Sequence, residues 1–375
     1  MARVNHDIDT KADTVIILRN ANASFAPWSF AEVGRDAVAI VDNFAIDESA
    51  VNESAVNEPT SGIADQEAHI QVTHAANCSS ETNPTDHCTE GDEIWYYVSR
   101  QHLTSASPTF ERMFSGMNWK ECTRNEDDGL YHVPAEDWDS EALLYVLQVL
   151  HLRNRQVPRT VSLEMLAKIT VIIDFYECAE ALELFTERWV EHLQAISPAP
   201  SIFCRDLMLW MCIAWVLRLS KTFVQTTTIA IRHDGQDLPT LGLPIMICVE
   251  RIEESRRQAM GTIFSQLQVL LQEFRSPLYQ CPRGDSFECG SILYGALTKE
   301  MELQGLLPIP IAPYSGLSFS ELYTKMQRIR SPRWCRPDKH KRGPHPCDLG
   351  AKVMEIVEPV TLLPNGLELK DFEFH

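Results

Sequence analysis

Between Ile94 and Leu193 the apolar positions change period from two to about 3.6, and the order of the change predicts a strand followed by helices. Tyr96 and Val98 alternate as one face of a half-buried strand. Ser107 is placed to accept the free amides of a helix whose first position is Pro108. That helix turns Phe110, Met113 and Phe114 inward. A second strand over Leu130 to Val133 leads to Asp139, which caps a helix carrying Leu143, Leu144, Leu147 and Leu150 on one face. The next helix starts from Ser162 and presents Leu163, Leu166, Ile169 and Ile173; a third carries Leu182, Phe185, Trp189 and Leu193. Upstream, Thr14 to Leu18 is a β-branched apolar run with the character of a core strand.

Ser197-Pro198-Ala199-Pro200 opposes helix continuation and marks a boundary, with a second helical unit expected beyond it. Leu207 to Leu217 is apolar throughout. Its eleven residues fall short of the roughly 20 that a spanning helix needs, so it reads as a buried helix and not as a membrane segment. From Val249 to Phe274 the residues Met260, Ile263, Phe264, Leu267, Leu270, Leu271 and Phe274 repeat at helical spacing, with Glu253 and Arg257 four apart on the other face. Pro364-Asn365-Gly366, between apolar residues 360–363 and 367–369, predicts a terminal hairpin.

Charge changes the picture between these elements. Residues 30–93 hold fourteen acidic residues and one basic residue, Arg35, about minus 13 of the net minus 19. They also carry a tandem pentad, Glu48 to Asn52 and Glu53 to Asn57. High charge and low complexity predict a disordered insertion, either merely solvated or a regulatory tail. Val38 to Ile46 is apolar enough to form a short element packed back on the domain. The whole chain, with 33 basic and 52 acidic residues among 375, lacks the cationic balance of a general nucleic-acid binder, and 45% hydrophobic content can fill a sizeable core. Met1 to Thr10 has no apolar stretch of a secretory signal, and eleven cysteines without one fit reduced thiols or a metal better than a disulfide framework. An intracellular protein of the nucleus or cytoplasm is expected.

The text Val98-Ser99, Leu103, Ser107-Pro108-x-Phe110-x-x-Met113-Phe114, Leu150-His151, Val157-Pro158 and Tyr176-Glu177-Cys178 before Trp189 resembles the BTB/POZ domain of filamentous fungi. The resemblance extends through residues 245 to 349, about three quarters of the chain. It implies an α+β fold, a small mixed sheet flanked by helices, followed by a mainly helical C-terminal region. Thr14 to Leu18 would then be the first strand of the sheet. Residues 1–29 carry that strand, 30–93 the acidic insertion, 94–196 the domain core and 197–375 the helical region. The family's dimers often swap an N-terminal extension, and only about a dozen residues precede Thr14, against a swapped dimer. Members that recruit a cullin scaffold carry a bulky apolar residue, any residue, then Glu after the Met-Phe step. Here Trp119-Lys120-Glu121 holds that place, with Met117 just before it, so Met117, Trp119 and Glu121 are the partner-contact residues the resemblance implies. Physically, Trp119 fits a hot-spot anchor, or equally a cover for the domain's own core.

Chemistry concentrates in two places. Cys281 and Cys289 flank a loop with Pro282, Gly284 and Asp285, and His345-Pro346-Cys347 sits in a second loop. Two pairs of soft ligands on two loops can form a closed tetrahedral zinc site of structural role, with Cys335 the first substitute and His340 also near in sequence. Similar Cys and His-x-Cys positions occur in the fungal proteins this region resembles. Unliganded buried thiols, or a Cys281–Cys289 disulfide, remain open on the residues alone. Eight basic residues fall within 325–342: Lys325, Arg328, Arg330, Arg333, Arg336, Lys339, Lys341 and Arg342, with Trp334 among them. They fit a solvated loop, an import signal, a nucleic-acid contact or a docking face for the acidic insertion. No phosphate loop, nucleophile elbow or His-Glu-x-x-His is visible. The expectation is a non-catalytic adaptor or scaffold that binds proteins and neither a membrane nor a small-molecule substrate, with a cullin-RING ubiquitin-ligase substrate adaptor as its sharper form. The alternative is a nuclear regulatory protein using the 325–342 stretch.

Overall fold

The computed structural model describes residues 3–28, 93–116, 122–233, 238–284, 286–314, 316–333, 345–362 and 366–372. The expected element at Val38 to Ile46, the pentads and the Trp119-Lys120-Glu121 step lie outside them.

The sheet is built around β2 (Thr14–Arg19), whose residues Thr14 through Leu18 are all buried, as a central strand with both faces covered requires. β3 (Glu93–Val98) pairs antiparallel with it, Ile16 opposite Tyr96 and Leu18 opposite Ile94, so the sheet does draw its two central strands from either side of the acidic segment. β4 (Tyr131–Glu136) pairs parallel with β2 at one edge, where Pro134 has no amide to withhold from a further strand. The other edge is β1 (Arg3–Asp7), parallel to β3, giving the order β1-β3-β2-β4. The sequence pattern does not predict β1. Arg3-Val4-Asn5-His6-Asp7 has almost no apolar content, and it is held by ladder bonds and by the His6 ring stacked on Tyr96 at 5.1 Å. β1 is thus the fourth strand of the sheet among the described residues.

Around the sheet stand α1 (Arg100–Ala106), α2 (Pro108–Ser115), α3 (Ser140–Leu150), α4 (Leu163–Tyr176) and α5 (Ala179–Ile196). The expected caps form: the Ser107 hydroxyl accepts from Phe110 N–H, Asp139 from the amides of Glu141 and Ala142, and Ser162 from Met165. Beyond capping, the short motifs close on one another. Ser107 Oγ also donates to the carbonyl of Tyr176, whose ring stacks on Phe110 at 4.4 Å, while Arg112 pairs with Glu177. Ser99 N–H donates to His151 Nε2 at 2.9 Å, and Trp189 Nε1 donates to the Pro158 carbonyl at 3.0 Å. The Ser107, Ser99 and Trp189 bonds give partners to polar groups that folding takes out of water, and a buried group left without one costs about 1–3 kcal/mol. The exposed Arg112–Glu177 pair adds little by comparison.

The prolines at 198 and 200 end α5 but not the core. α6 (Arg205–Val216) buries every residue from Leu207 to Ala214 against α4, as a buried helix should, and α7 (Ser220–Arg232) packs on α6. This first core runs through Cys248, Val249 and Ile252, so the boundary drawn at 197 does not divide the packing. A second core starts at Met260 and is made by α9 (Ser286–Leu303), α10 (Phe319–Gln327), α11 (Leu349–Leu362) and the far half of α8 (Met246–Arg275). The expected stripe on α8 is buried from Met260 to Phe274, with Leu271 half-buried. Burial of such side chains is worth about 1.5–3 kcal/mol each, far above the few tenths of a surface ion pair. Those pairs also take another register. Glu253 bonds Arg256 and Arg257 bonds Glu254, in place of Glu253 with Arg257.

The terminal hairpin does not form. Residues 360–362 end α11, and Leu369–Asp371 is a 3-10 turn. Gly366 is needed for a close approach instead: a Cβ there would lie 2.0 Å from the Val224 carbonyl, and its N–H donates to Thr228 Oγ1 at 2.7 Å. Leu367 and Phe372 then return to the first core, Phe372 against Trp215 at 4.8 Å. No helix among the described residues is long and apolar enough to cross a membrane.

Candidate metal centre

The loop between α8 and α9 turns at Cys281-Pro282-Arg283-Gly284, closed by Gly284 N–H on the Cys281 carbonyl at 2.9 Å. Proline at the second position suits such a turn. Cys281 N–H donates to Ser286 Oγ at 3.0 Å, which fixes the loop to the start of α9, where Cys289 sits one turn in. On the facing side His345 and Cys347 precede α11, whose start is capped by Asp348 Oδ1 accepting from Ala351 N–H at 3.0 Å. Its hydrogen bond from Ser331 holds the Asp348 carboxyl below the usual carboxylate range.

These two loops bring the four expected ligands together. One ligand atom each from Cys281, Cys289, His345 and Cys347 lies within 4.8 Å of the others, and the three cysteines are buried. Cys281 Sγ is 3.9 Å from Cys347 Sγ and 3.8 Å from His345 Nε2. A tetrahedron with metal–sulfur bonds of about 2.3 Å has S–S edges of about 3.8 Å. Cys347 N–H donates to His345 Nδ1 at 3.1 Å, which turns Nε2 toward Cys281. The cluster can hold a metal. None of its cysteines is in a disulfide, so the expected alternative Cys281–Cys289 bridge is not formed. Burial pushes the Cys289 thiol up to about 12, so charge at this sulfur calls for a cation. Cys335 and His340 lie outside the described residues. Tyr279, buried with its hydroxyl 3.3 Å from Cys347 Sγ and 3.7 Å from Cys289 Sγ, was not singled out by the sequence reading. An aromatic hydroxyl two residues before a loop cysteine was the available signal.

A second cluster, Asp9, His102 and His151, also went unseen in the sequence because it joins the turn after β1, α1 and the end of α3. Both nitrogens of His151 are engaged, Nε2 by Ser99 N–H and Nδ1 by the Leu147 carbonyl at 2.7 Å. His102 Nδ1 is 3.4 Å from Asp9 Oδ2 without the alignment of a hydrogen bond. The His151 ring is therefore a structural tie and a poor ligand.

Of the partner-contact residues, Met117, Trp119 and Glu121 lie outside the described residues. The basic stretch is described as far as Arg333. Lys325 pairs with Glu321 at 2.9 Å, and Arg330 donates to Glu300, a buried carboxylate, at 2.8 Å. Part of that charge is committed inside the molecule. No family model matches this chain, and no curated protein is significantly similar to it.

Proposed function

We propose that this chain is a non-catalytic protein-interaction protein of the BTB/POZ kind, an adaptor or scaffold, with its second helical core closed by a structural zinc ion. One observation carries the reading. The motif pieces that resemble the family are one another's partners: Ser99 with His151, Ser107 and Phe110 with Tyr176, Pro158 with Trp189. A chance scatter of similar short strings has no reason to meet in such pairs. The sheet, in which β2 pairs with β3 across the acidic segment, supports the same reading.

Three thiols and one imidazole favour zinc among the common divalent ions, and four protein ligands leave no position for a reacting water. The metal's work would be to join the start of α9 to the start of α11. The sharper form of the function is recruitment of a cullin scaffold through Trp119 and Glu121, in the segment between α2 and β4. The test is a titration of the purified full chain with a purified cullin N-terminal region. Trp119→Ala with Glu121→Ala is expected to weaken binding about 30-fold or more, the size of a hot-spot loss. Equal affinity in the variant removes the cullin reading.

A further inference from the structure

From the geometry we infer that Tyr279 is the positioning residue of the metal centre: its hydroxyl donates to the Cys347 thiolate, is shared with Cys289, and keeps the loaded site tight and unreactive. This rests on the metal reading above.

The argument starts from charge. Two positive charges on a dication against three thiolates leave one negative charge in a site lined by buried side chains. Such a charge is costly in an apolar core unless hydrogen bonds reach the sulfurs. Each sulfur has a donor within reach. Arg283 N–H points at Cys281 Sγ at 3.4 Å. The Tyr279 hydroxyl serves the other two, at 3.3 Å to Cys347 and 3.7 Å to Cys289. Among the described residues no backbone amide donates to those two sulfurs, which leaves the hydroxyl to do that work.

The ring is held where this requires. It meets Phe274 edge-on at 5.6 Å, and Gly290, next to Cys289, leaves the space it occupies. A Cβ at residue 290 would lie 3.2 Å from the ring's Cδ1 and 3.1 Å from the Phe274 carbonyl. Packing therefore places the ring, and the hydroxyl is the part that speaks to the metal. Tyr279→Phe keeps the ring and removes that part alone.

The test loads the full-length chain with cobalt(II), then displaces it with zinc under chelator competition, in wild type and Tyr279→Phe. Wild type is expected to bind one ion with a thiolate-to-cobalt charge-transfer band. The variant is expected to hold zinc about tenfold more weakly, the lower end of losses from removing such partners. At saturation its band should move to lower energy, because thiolates without a donor give up charge more readily; loss of packing alone does not move the band of a saturated site. Equal affinity and an unmoved band in the variant overturn the role of Tyr279 and leave the metal reading standing. A wild type that binds neither ion overturns both. Should the variant not fold, wild type loaded with cadmium-113 decides: coupling from the metal to a hydroxyl proton, lost in D2O, is expected, and its absence in a loaded sample overturns the inference.

Discussion

At the scale of single residues, His151 shows how a side chain read as part of a motif becomes a support for backbone. Its two nitrogens hold the Ser99 amide and the Leu147 carbonyl, so the neutral ring is the working form. Burial, the largest cause, lowers its pKa below the ordinary 6.5, and the nearby His102 pushes the same way. The folded chain then binds fewer protons than the unfolded chain in the window below 6.5. Stability from this group is complete above about pH 6.5 and declines as pH falls beneath it. His6, also lowered by burial, adds a slope of the same sign. His151→Gln, whose amide oxygen can accept from Ser99, is expected to flatten part of the slope in urea-unfolding stability just below pH 6.5. A slope identical to wild type would show that the ring does not titrate with folding. The role was not legible from Leu150-His151 alone, because the partner is 52 residues away.

At the scale of elements, caps and periods carried most of the reading. Ser107, Asp139 and Ser162 each cap the helix expected of them, since a cap is local chemistry between residues two or three apart. β1 was invisible for the opposite reason: an edge strand held by another strand's ladder needs no apolar pattern of its own. Asn365-Gly366 misled because glycine serves close approach as well as turns, and only the position of α7 tells which. The α8 stripe was legible, but the buried Arg256 was not. It donates to the carbonyls of Ala230, Ile231 and His233 at the end of α7, and to Glu253. Arg256→Met keeps the stem and strips those donors, and is expected to lower unfolding free energy by roughly 3 kcal/mol. Chemical denaturation checks this; a loss under about 1 kcal/mol would mean that water replaces the guanidinium.

At the scale of the molecule, two hydrophobic cores share one helix. The first holds the sheet, α1 to α7, the near half of α8 and the returning residues 367–372. The second holds the Cys/His cluster that could bind a metal, placed near the starts of α9 and α11. The cluster of Cys281, Cys289, His345 and Cys347 was legible because soft residues came in two pairs beside turn-forming residues. The first core continues past 197 to Ile252 because prolines end helices without ending cores. The acidic segment and the Trp119 step lie outside the described residues, so the functional claim is carried by the first core and tested by binding. The most direct measurement is mass-spectrometric identification of proteins retained by the tagged full-length chain from its native cells. The account predicts a defined set of retained proteins, with a cullin among them in its sharper form; a preparation that retains no protein above the tag-only control contradicts it.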